Sequence, residues 1–154
     1  MKLSIFTLLF LIINFGALYF GSLLMNNGPM TEWYTNLNQA PWTPPGWVFG
    51  FAWTTIMILF SFYLAYLFKW NNSTSIWLLY ALQVLLNVSW NYIFFNQHMI
   101  IFGLVIIVLL LVLIIYFFLT FRTDAMQIKR FLLLPYIIWL CIATSLNLYI
   151  VVHN

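Results

Sequence analysis

The chain has 154 residues, of which 66% are hydrophobic and 5% are charged, whereas charged residues make up about a quarter of an ordinary soluble domain. This composition excludes a soluble domain and indicates an integral membrane protein. The net charge is only +3, and the basic residues form no run. Both features argue against nucleic-acid binding. The single cysteine, Cys141, excludes an internal disulfide and a cysteine-based metal cluster, and no metal site is predicted.

Five apolar runs are each long enough, at about 20 residues, to cross the roughly 30 Å hydrocarbon core as a helix. The predicted spans are about 3–24, 47–68, 76–95, 99–121 and 131–152. The sequence therefore predicts one domain, residues 1–154, that folds as an all-α bundle of five transmembrane helices. The fourth span is the most uniformly apolar, so we expect it to have the largest lipid-facing share.

The connection between the first two spans, residues 25–46, is long and rich in aromatic residues. Long connections that are not disordered are usually lids or binding loops. Thr31 and Glu32 fit the N-cap and first turn of a short helix, and Pro44-Pro45 suits a stiff entry into the second span. The alternative is an aromatic belt at the membrane interface, where Trp and Tyr collect in any membrane protein.

All lysines and arginines fall on one side of the predicted bundle. They are Lys2 before the first span, Lys69 after the second, and Arg122, Lys129 and Arg130 after the fourth. Because cytoplasmic loops carry the excess of Lys and Arg, we expect a cytoplasmic N-terminus, with the first connection and the C-terminus outside. The expected location is the plasma membrane.

Polar residues inside the spans follow a helical period. Gln83, Asn87 and Asn91 recur every four residues and share one face of the third span. Matching faces of the second and fifth spans carry Phe49, Trp53, Phe60, Tyr136, Trp139, Ala143 and Asn147. Because intramembrane polar groups face the bundle interior or a cavity, three helices can enclose an aromatic chamber. Alternatively, the amide side chains only make interhelical hydrogen bonds, each of which stabilises the bundle by about 0.6 kcal/mol.

Small residues suggest a dimer interface, and the absence of charged residues from the spans argues against two classes of function. Ala17 and Gly21 allow a neighbouring helix to approach closely, and with Gly103 they are the candidates for a homodimer face. No acidic or basic residue lies inside a span, although proton-coupled pumps generally need one. His98 and His153 lie at span ends, so no buried haem ligand is apparent.

Four motifs occur in a fixed order along the chain. They are Trp33-Tyr34-x-x-Leu37, Pro44-Pro45 with Trp47 and Trp53 downstream, Leu86-Asn87-x-x-Trp90-x-x-x-Phe94-Phe95, and Pro135-Tyr136-x-x-Trp139-x-x-x-Ala143-x-x-Leu146-Asn147. In motifs, length and number of spans, the chain resembles the tryptophan-rich sensory protein (TspO) or translocator protein family, from about residue 33 to residue 147.

The resemblance implies a membrane protein, commonly a homodimer among membrane lipids, that binds porphyrins such as protoporphyrin IX in a pocket under the first connection. It also implies binding of isoquinoline carboxamide or benzodiazepine-type drugs. The residues that the resemblance assigns to the pocket are Tyr34, Trp53, Asn87, Trp90, Phe94, Trp139 and Ala143.

Some members of that family promote light-dependent breakdown of protoporphyrin IX, and the expected role is in tetrapyrrole or stress regulation. A photoexcited porphyrin, as ligand or substrate, supplies its own reactivity, so no further cofactor is required. The protein then needs only to hold it against oxidisable groups, for which Trp53 and Trp139 are the candidates. With no acid or base inside a span, the protein has little means for conventional acid–base catalysis.

Two other functions fit the same sequence. The first is a transporter of porphyrins or other hydrophobic ligands, although no internal repeat or midplane broken helix of the transporter type is apparent. The second is a structural or regulatory subunit without a ligand, in which the polar stripe only packs helices together.

Two positions depart from the resembled family. Gln39-Ala40 stands where the family often has Lys-Pro, which removes a cation that could meet a porphyrin propionate. Tyr149 is followed by no Lys or Arg, so the cholesterol motif proposed for the animal members is incomplete. Such motifs are weak patterns, and we expect poor cholesterol binding.

Overall fold

The computed structural model describes residues 2–154, which form helices joined by turns. The helices are α1 (Leu3–Leu24), α2 (Glu32–Thr35), α3 (Gly46–Trp70), α4 (Thr74–Asn91), α5 (Ile100–Thr120) and α6 (Leu134–His153). Short 3-10 turns lie at Gly28–Met30 and Lys129–Leu133, and a π-helical turn at Tyr92–Asn96 extends α4. All helices except α2 are long and apolar enough to cross a membrane. The predicted five-helix membrane bundle is confirmed.

The ends of the helices follow the local sequence. The amide of Tyr34 donates to Thr31 Oγ1 at 3.4 Å, so Thr31 caps α2 with Glu32 in its first turn. α3 begins directly after Pro45, as expected from the fixed φ angle of proline. Both predicted helix starts are therefore confirmed.

The five spanning helices close into a ring. α1 packs against α3 and α4, α5 packs against α4 and α6, and α6 returns to α3. The interior is aromatic: the rings of Phe60 and Tyr136 lie 5.4 Å apart, and those of Phe10 and Phe68 lie 4.9 Å apart. Because lipid is as apolar as these side chains, close packing rather than burial from water holds such a ring together.

The side-chain amides within α4 and α6 differ in their hydrogen-bond partners. Gln83 Nε2 donates to the hydroxyl of Tyr136 at 2.8 Å and so joins α4 to α6. Asn91 and Asn147 instead donate to carbonyls of their own helices, at 3.2 and 2.9 Å. Among these three amides, only Gln83 makes an interhelical hydrogen bond.

A second polar cluster was not anticipated from the sequence. Asn14 of α1 donates to Ser61 Oγ of α3 at 2.8 Å and accepts from the hydroxyl of Tyr80 of α4 at 2.8 Å. These bonds join three helices at a fully buried point, where an unpaired polar group would be costly. Asn14 therefore fixes the position of α1 in the ring.

Two glycines permit close contacts with the extended α4 helix. A Cβ atom on Gly21 would lie 2.9 Å from Asn91 Nδ2, and one on Gly103 would lie 2.8 Å from Phe94 Cδ2. The predicted close approach at Gly21 is confirmed. Both glycines contact side chains of the same chain, which argues against a role for them in a dimer interface. The homodimer itself stays a prediction.

The expectation that the fourth span faces lipid most is wrong. In the 18-residue stretch that defines each span, 33% of the residues of α5 are buried but only 17% of those of α1. Hydropathy measures how well a side chain tolerates lipid, not how many neighbours its helix has. Ile107, Leu110 and Ile114 of α5 are as apolar as lipid-facing residues but point into the bundle.

Replacement of Gly103 by alanine is expected to destabilise the bundle by about 1–3 kcal/mol, because the new methyl group would displace Phe94. The measurement is the thermal unfolding midpoint of the purified protein in detergent. The control is Gly16→Ala in α1, where a Cβ atom meets nothing within 4 Å and helix propensity favours alanine. Equal midpoints for the two variants would contradict this packing.

Candidate ligand-binding site

A cavity of about 370 Å³ lies beneath the first connection. Its walls come from the beginning of α3 and the end of α4 with its π-helical turn. The wall residues that matter most here are Tyr34, Phe49, Trp53, Trp90, Asn91 and Phe95. Small-molecule pockets range from about 300 to 1,000 Å³ and are mostly apolar with a few polar groups, so this cavity has the size and character of a ligand site.

Aromatic contacts hold the first half of the connection over the cavity. The ring of Trp33 stacks on His98 with a centroid separation of 4.0 Å, and the ring of Tyr34 lies 5.2 Å from Phe95. Gly28 lies directly against Phe95, where any Cβ atom would clash with the ring. The first half of the connection is therefore packed onto the end of α4 as a roof.

Hydrogen bonds hold the second half of the connection to the end of α6. The amide of Asn38 donates to Asn154 Oδ1 at 2.8 Å, and Asn154 Nδ2 donates back to the Asn38 carbonyl at 3.2 Å. Asn38 Nδ2 also donates to the carbonyl of His153 at 2.9 Å. We call these three bonds the terminal tether.

Trp42 reinforces the terminal tether a few residues further along. Its indole Nε1 donates to Ser145 Oγ at 3.1 Å, and its ring meets Tyr149 edge-on with centroids 5.4 Å apart. The roof is thus attached to α4 on one side of the cavity and to α6 on the other.

Trp90 lines the cavity, and its indole carries an enclosed hydrogen-bond donor without a partner. The residue is 8% exposed, and its indole Nε1 has no hydrogen-bond partner among residues 2–154. A buried donor without a partner costs about 1–3 kcal/mol. Because the Nε1 atom is enclosed, an acceptor group of a ligand would relieve that cost only if the indole turns toward the cavity.

Tyr34 adds a second donor from the roof. Burial raises the pKa of its phenol above the ordinary value, so the hydroxyl remains protonated at neutral pH and can donate to a ligand. Gln39 Nε2 donates to the carbonyl of Tyr34 at 2.9 Å and lines the same cavity. At this position a neutral amide therefore takes the place of the lysine common in the resembled family.

The seven residues assigned to the pocket from sequence fall into two groups. Tyr34, Trp53 and Trp90 line the cavity. The other four are buried in the bundle and are not part of its wall: Asn87, Phe94, Trp139 and Ala143. Trp139 meets Phe49 edge-on at 5.2 Å and so supports the wall from behind. Contact between these seven residues and a ligand stays a prediction.

Several wall residues were not assigned from the sequence. Phe49 lies one turn before Trp53, and Asn91 completes the polar stripe of α4, so both had a periodic signal. Phe95 and Thr43 line the cavity as well. Phe95 lies in the π-helical turn four residues after Asn91, so it too continues the helical period of the polar stripe.

The lining of the cavity is aromatic and carries no formal charge. No acidic or basic side chain lines it, and residues 2–154 contain no group of three or more His, Cys, Asp or Glu side chains placed to hold a metal ion. Flat aromatic faces and a few neutral hydrogen-bonding groups remain. These features suit a planar, largely apolar ligand that carries acceptor groups.

The bundle and its roofed cavity define a multi-pass integral membrane protein with a ligand-sized aromatic pocket. Comparison with known sequences agrees with that class: the profile of the TspO/MBR family matches residues 7–153. The chain belongs to the TspO/MBR family.

Relatives of this chain come from several bacteria. The chain is 34% identical over 117 residues to the tryptophan-rich sensory protein of Cereibacter sphaeroides, covering 75% of this chain and 73% of the relative. It is 32% identical over 120 residues to protein CrtK of Rhodobacter capsulatus, covering 75% and 74%. Identity to the tryptophan-rich protein TspO of Bacillus cereus is 28% over 152 residues, covering 96% and 94%. The likeness therefore includes the connection and all of the wall helices.

Proposed function

We propose that this protein binds a porphyrin in the cavity beneath the first connection, with protoporphyrin IX as the test ligand. The observation that carries the proposal is an aromatic-walled cavity whose lining includes Trp90, a residue with an indole Nε1 that has no partner among the described residues. A porphyrin offers a flat π surface for the aromatic wall and propionate oxygens for the donors. The function rests on binding rather than on acid or base chemistry.

The donors of the cavity favour recognition of a carboxylate by neutral groups. Trp90 and Tyr34 each offer one hydrogen, and the side chains of Asn91 and Gln39 add amides to the lining. Hydrogen bonds to a charged acceptor contribute about 1.5–3 kcal/mol each. This set of donors compensates for the absence of a cation from the connection.

The size of the cavity bears on how ligands enter. At about 370 Å³ it lies near the small end of ligand pockets, so a macrocycle requires the roof to move outward. Isoquinoline carboxamide and benzodiazepine-type drugs are smaller, and we propose that they occupy the same cavity with the roof closed. Entry of the macrocycle therefore depends on release of the terminal tether.

We further propose that light drives oxidation of the bound porphyrin by molecular oxygen. Of the two candidate tryptophans, Trp53 forms part of the wall, while Trp139 lies behind Phe49. The position of Trp53 in the wall supports it, rather than Trp139, as the indole that reacts with an excited ligand. A role in sensing or limiting tetrapyrroles follows from such a reaction, with the roof on the outer face of the plasma membrane.

The test is a fluorescence titration of the purified protein with protoporphyrin IX in the dark. Saturable quenching of tryptophan emission near one porphyrin per chain is the expected result. Linear quenching without saturation would show partition into detergent and overturn the proposal. Uptake of the same porphyrin into sealed vesicles containing the protein would instead indicate transport.

Replacement of Tyr34 by phenylalanine is expected to weaken porphyrin binding about tenfold, which corresponds to 1.4 kcal/mol. The control is Tyr19→Phe, since Tyr19 is 67% exposed on α1. Because burial raises the pKa of Tyr34, its phenol stays neutral, and the ratio of wild-type to variant affinity should stay constant from about pH 7 to 9. An equal affinity for the two variants would exclude the Tyr34 hydroxyl as a ligand donor.

A further inference from the structure

The end of the bundle opposite the cavity carries every lysine and arginine of the chain. The acidic residue at that end is Asp124, which is exposed in the turn after α5. Among residues 2–154, no ion pair joins it to any of the cations. This end is therefore strongly positive, and its cations have no carboxylate partners in the described part of the chain.

Arg130 is the cation most closely held by the bundle. Its guanidinium carbon lies 4.8 Å from the ring centroid of Phe118 on α5 and 5.3 Å from that of Phe131. The Nε atom is enclosed and makes no hydrogen bond within residues 2–154. Lys129 lies beside it, with Nζ 4.9 Å from the ring centroid of Tyr66 on α3. Aromatic rings thus orient both cations but do not neutralise them.

A charged group enclosed among apolar side chains is costly unless an anion pairs with it, and the turn that carries Arg130 lies at the end of a membrane-spanning segment. The anions at that depth in a membrane are lipid phosphates, and the planar fork of arginine binds a phosphate through two parallel hydrogen bonds. Basic pockets between transmembrane helices bind lipid head groups in this way. Arg130 has the position and the chemistry for such a contact.

The apolar surroundings of Arg130 match the rest of a phospholipid. Ile128 and Phe131 are 76% and 49% exposed on either side of it, and Leu134 follows at 37%. A positive group bordered by exposed apolar side chains complements a negative head group joined to acyl chains. A free phosphate ion would leave that apolar surface unused.

We propose that Arg130, with Lys129, forms a binding site for one anionic phospholipid at the end of the bundle opposite the cavity. The phosphate pairs with the guanidinium group of Arg130, and an acyl chain lies along Phe131 and Leu134. This site is separate from the cavity and does not depend on porphyrin binding. Its occupant ties the beginning of α6 to α3 and α5, which the 3-10 turn Lys129–Leu133 already contacts.

The test uses the purified full-length chain in mild detergent after removal of co-purified lipid. Dioleoyl phosphatidylglycerol, dioleoyl phosphatidylcholine and inorganic phosphate are added in separate titrations, and the thermal unfolding midpoint and the lipid retained in native mass spectrometry are recorded. Only phosphatidylglycerol should raise the midpoint saturably, with about one lipid retained per chain. An equal effect of phosphatidylcholine, or saturation by inorganic phosphate alone, would overturn the proposal.

Matched variants separate this site from general attraction to positive charge. Arg130→Gln should weaken phosphatidylglycerol binding at least fivefold, whereas Arg122→Gln should leave it unchanged, because Arg122 is exposed at the same end. Arg130→Lys keeps the charge and is the variant to use if Arg130→Gln does not fold. It should bind less tightly than the wild type, since an ammonium group lacks the fork. Equal losses in the Arg122 and Arg130 variants would show that net charge alone attracts the lipid.

Discussion

Replacement of Trp53 by alanine is expected to weaken protoporphyrin IX binding about thirtyfold in the dark. Trp53 forms part of the cavity wall, and its ring is held edge-on against Tyr136 at a centroid distance of 6.0 Å. Aromatic anchors that a ligand covers on binding typically contribute about 2 kcal/mol or more, which is close to thirtyfold in affinity. The measurement is the dissociation constant from fluorescence titration.

The matched control for Trp53 is Trp47, which lies earlier on the same helix and is 72% exposed. Trp47→Ala removes an indole from the same end of the bundle but not from the cavity, so it should bind porphyrin as the wild type does. Comparable losses in both variants would place the ligand on the aromatic surface outside the cavity and contradict the assignment.

Illumination distinguishes the two proposed photochemical tryptophans. Trp53→Phe keeps an aromatic ring in the wall but removes the oxidisable indole, so breakdown of bound porphyrin under light should slow severalfold. Trp139→Phe should have a smaller effect, because Trp139 lies behind Phe49. If neither variant slows breakdown at saturating porphyrin, the indoles take no part in the reaction.

Loss of the terminal tether is expected to accelerate porphyrin dissociation about tenfold. The double variant Asn38→Ala, Asn154→Ala removes all three hydrogen bonds between the connection and the end of α6. A hydrogen bond contributes about 0.5–1.5 kcal/mol net. Because these three bonds are exposed, we assign about 1.4 kcal/mol to them together, which corresponds to a tenfold change in the dissociation rate. The measurement is the rate at which porphyrin dissociates from the variant. The complex is diluted into an excess of ligand-free protein with intact tryptophans, which captures the released porphyrin.

The control for the terminal tether is Asn36→Ala. Asn36 is an exposed asparagine of the same connection, and its side chain makes no hydrogen bond within the described residues. A readout that needs no ligand is amide hydrogen exchange across residues 37–43, which should speed up in the double variant but not in the control. Unchanged exchange and unchanged dissociation together would show that the first half of the connection alone holds the roof.

α6 contacts both the cavity wall and the roof. α6 carries Trp139, which supports the wall through Phe49, and it ends at the residues that bind Asn38. A ligand that displaces Phe49 would therefore press on the helix that holds the roof.

The sequence by itself determined the five spans, the start of α2 at Thr31, the start of α3 after Pro45 and the aromatic character of the connection. These features are local, because hydropathy, capping and proline geometry act within a few residues. The order of the family motifs also identified where a pocket lies. None of this required knowledge of which helices are neighbours.

Only the tertiary structure decided which aromatic residues form a cavity and which form the core. Phe60 and Trp53 share a face of α3, but Phe60 is sealed against Tyr136 while Trp53 borders open space. Helical periodicity gives the direction of a side chain and not the distance to the element it meets. Asn38 and Asn154 are 116 residues apart in sequence, and nothing in either segment predicts their contact, because it arises only when the ring of helices closes.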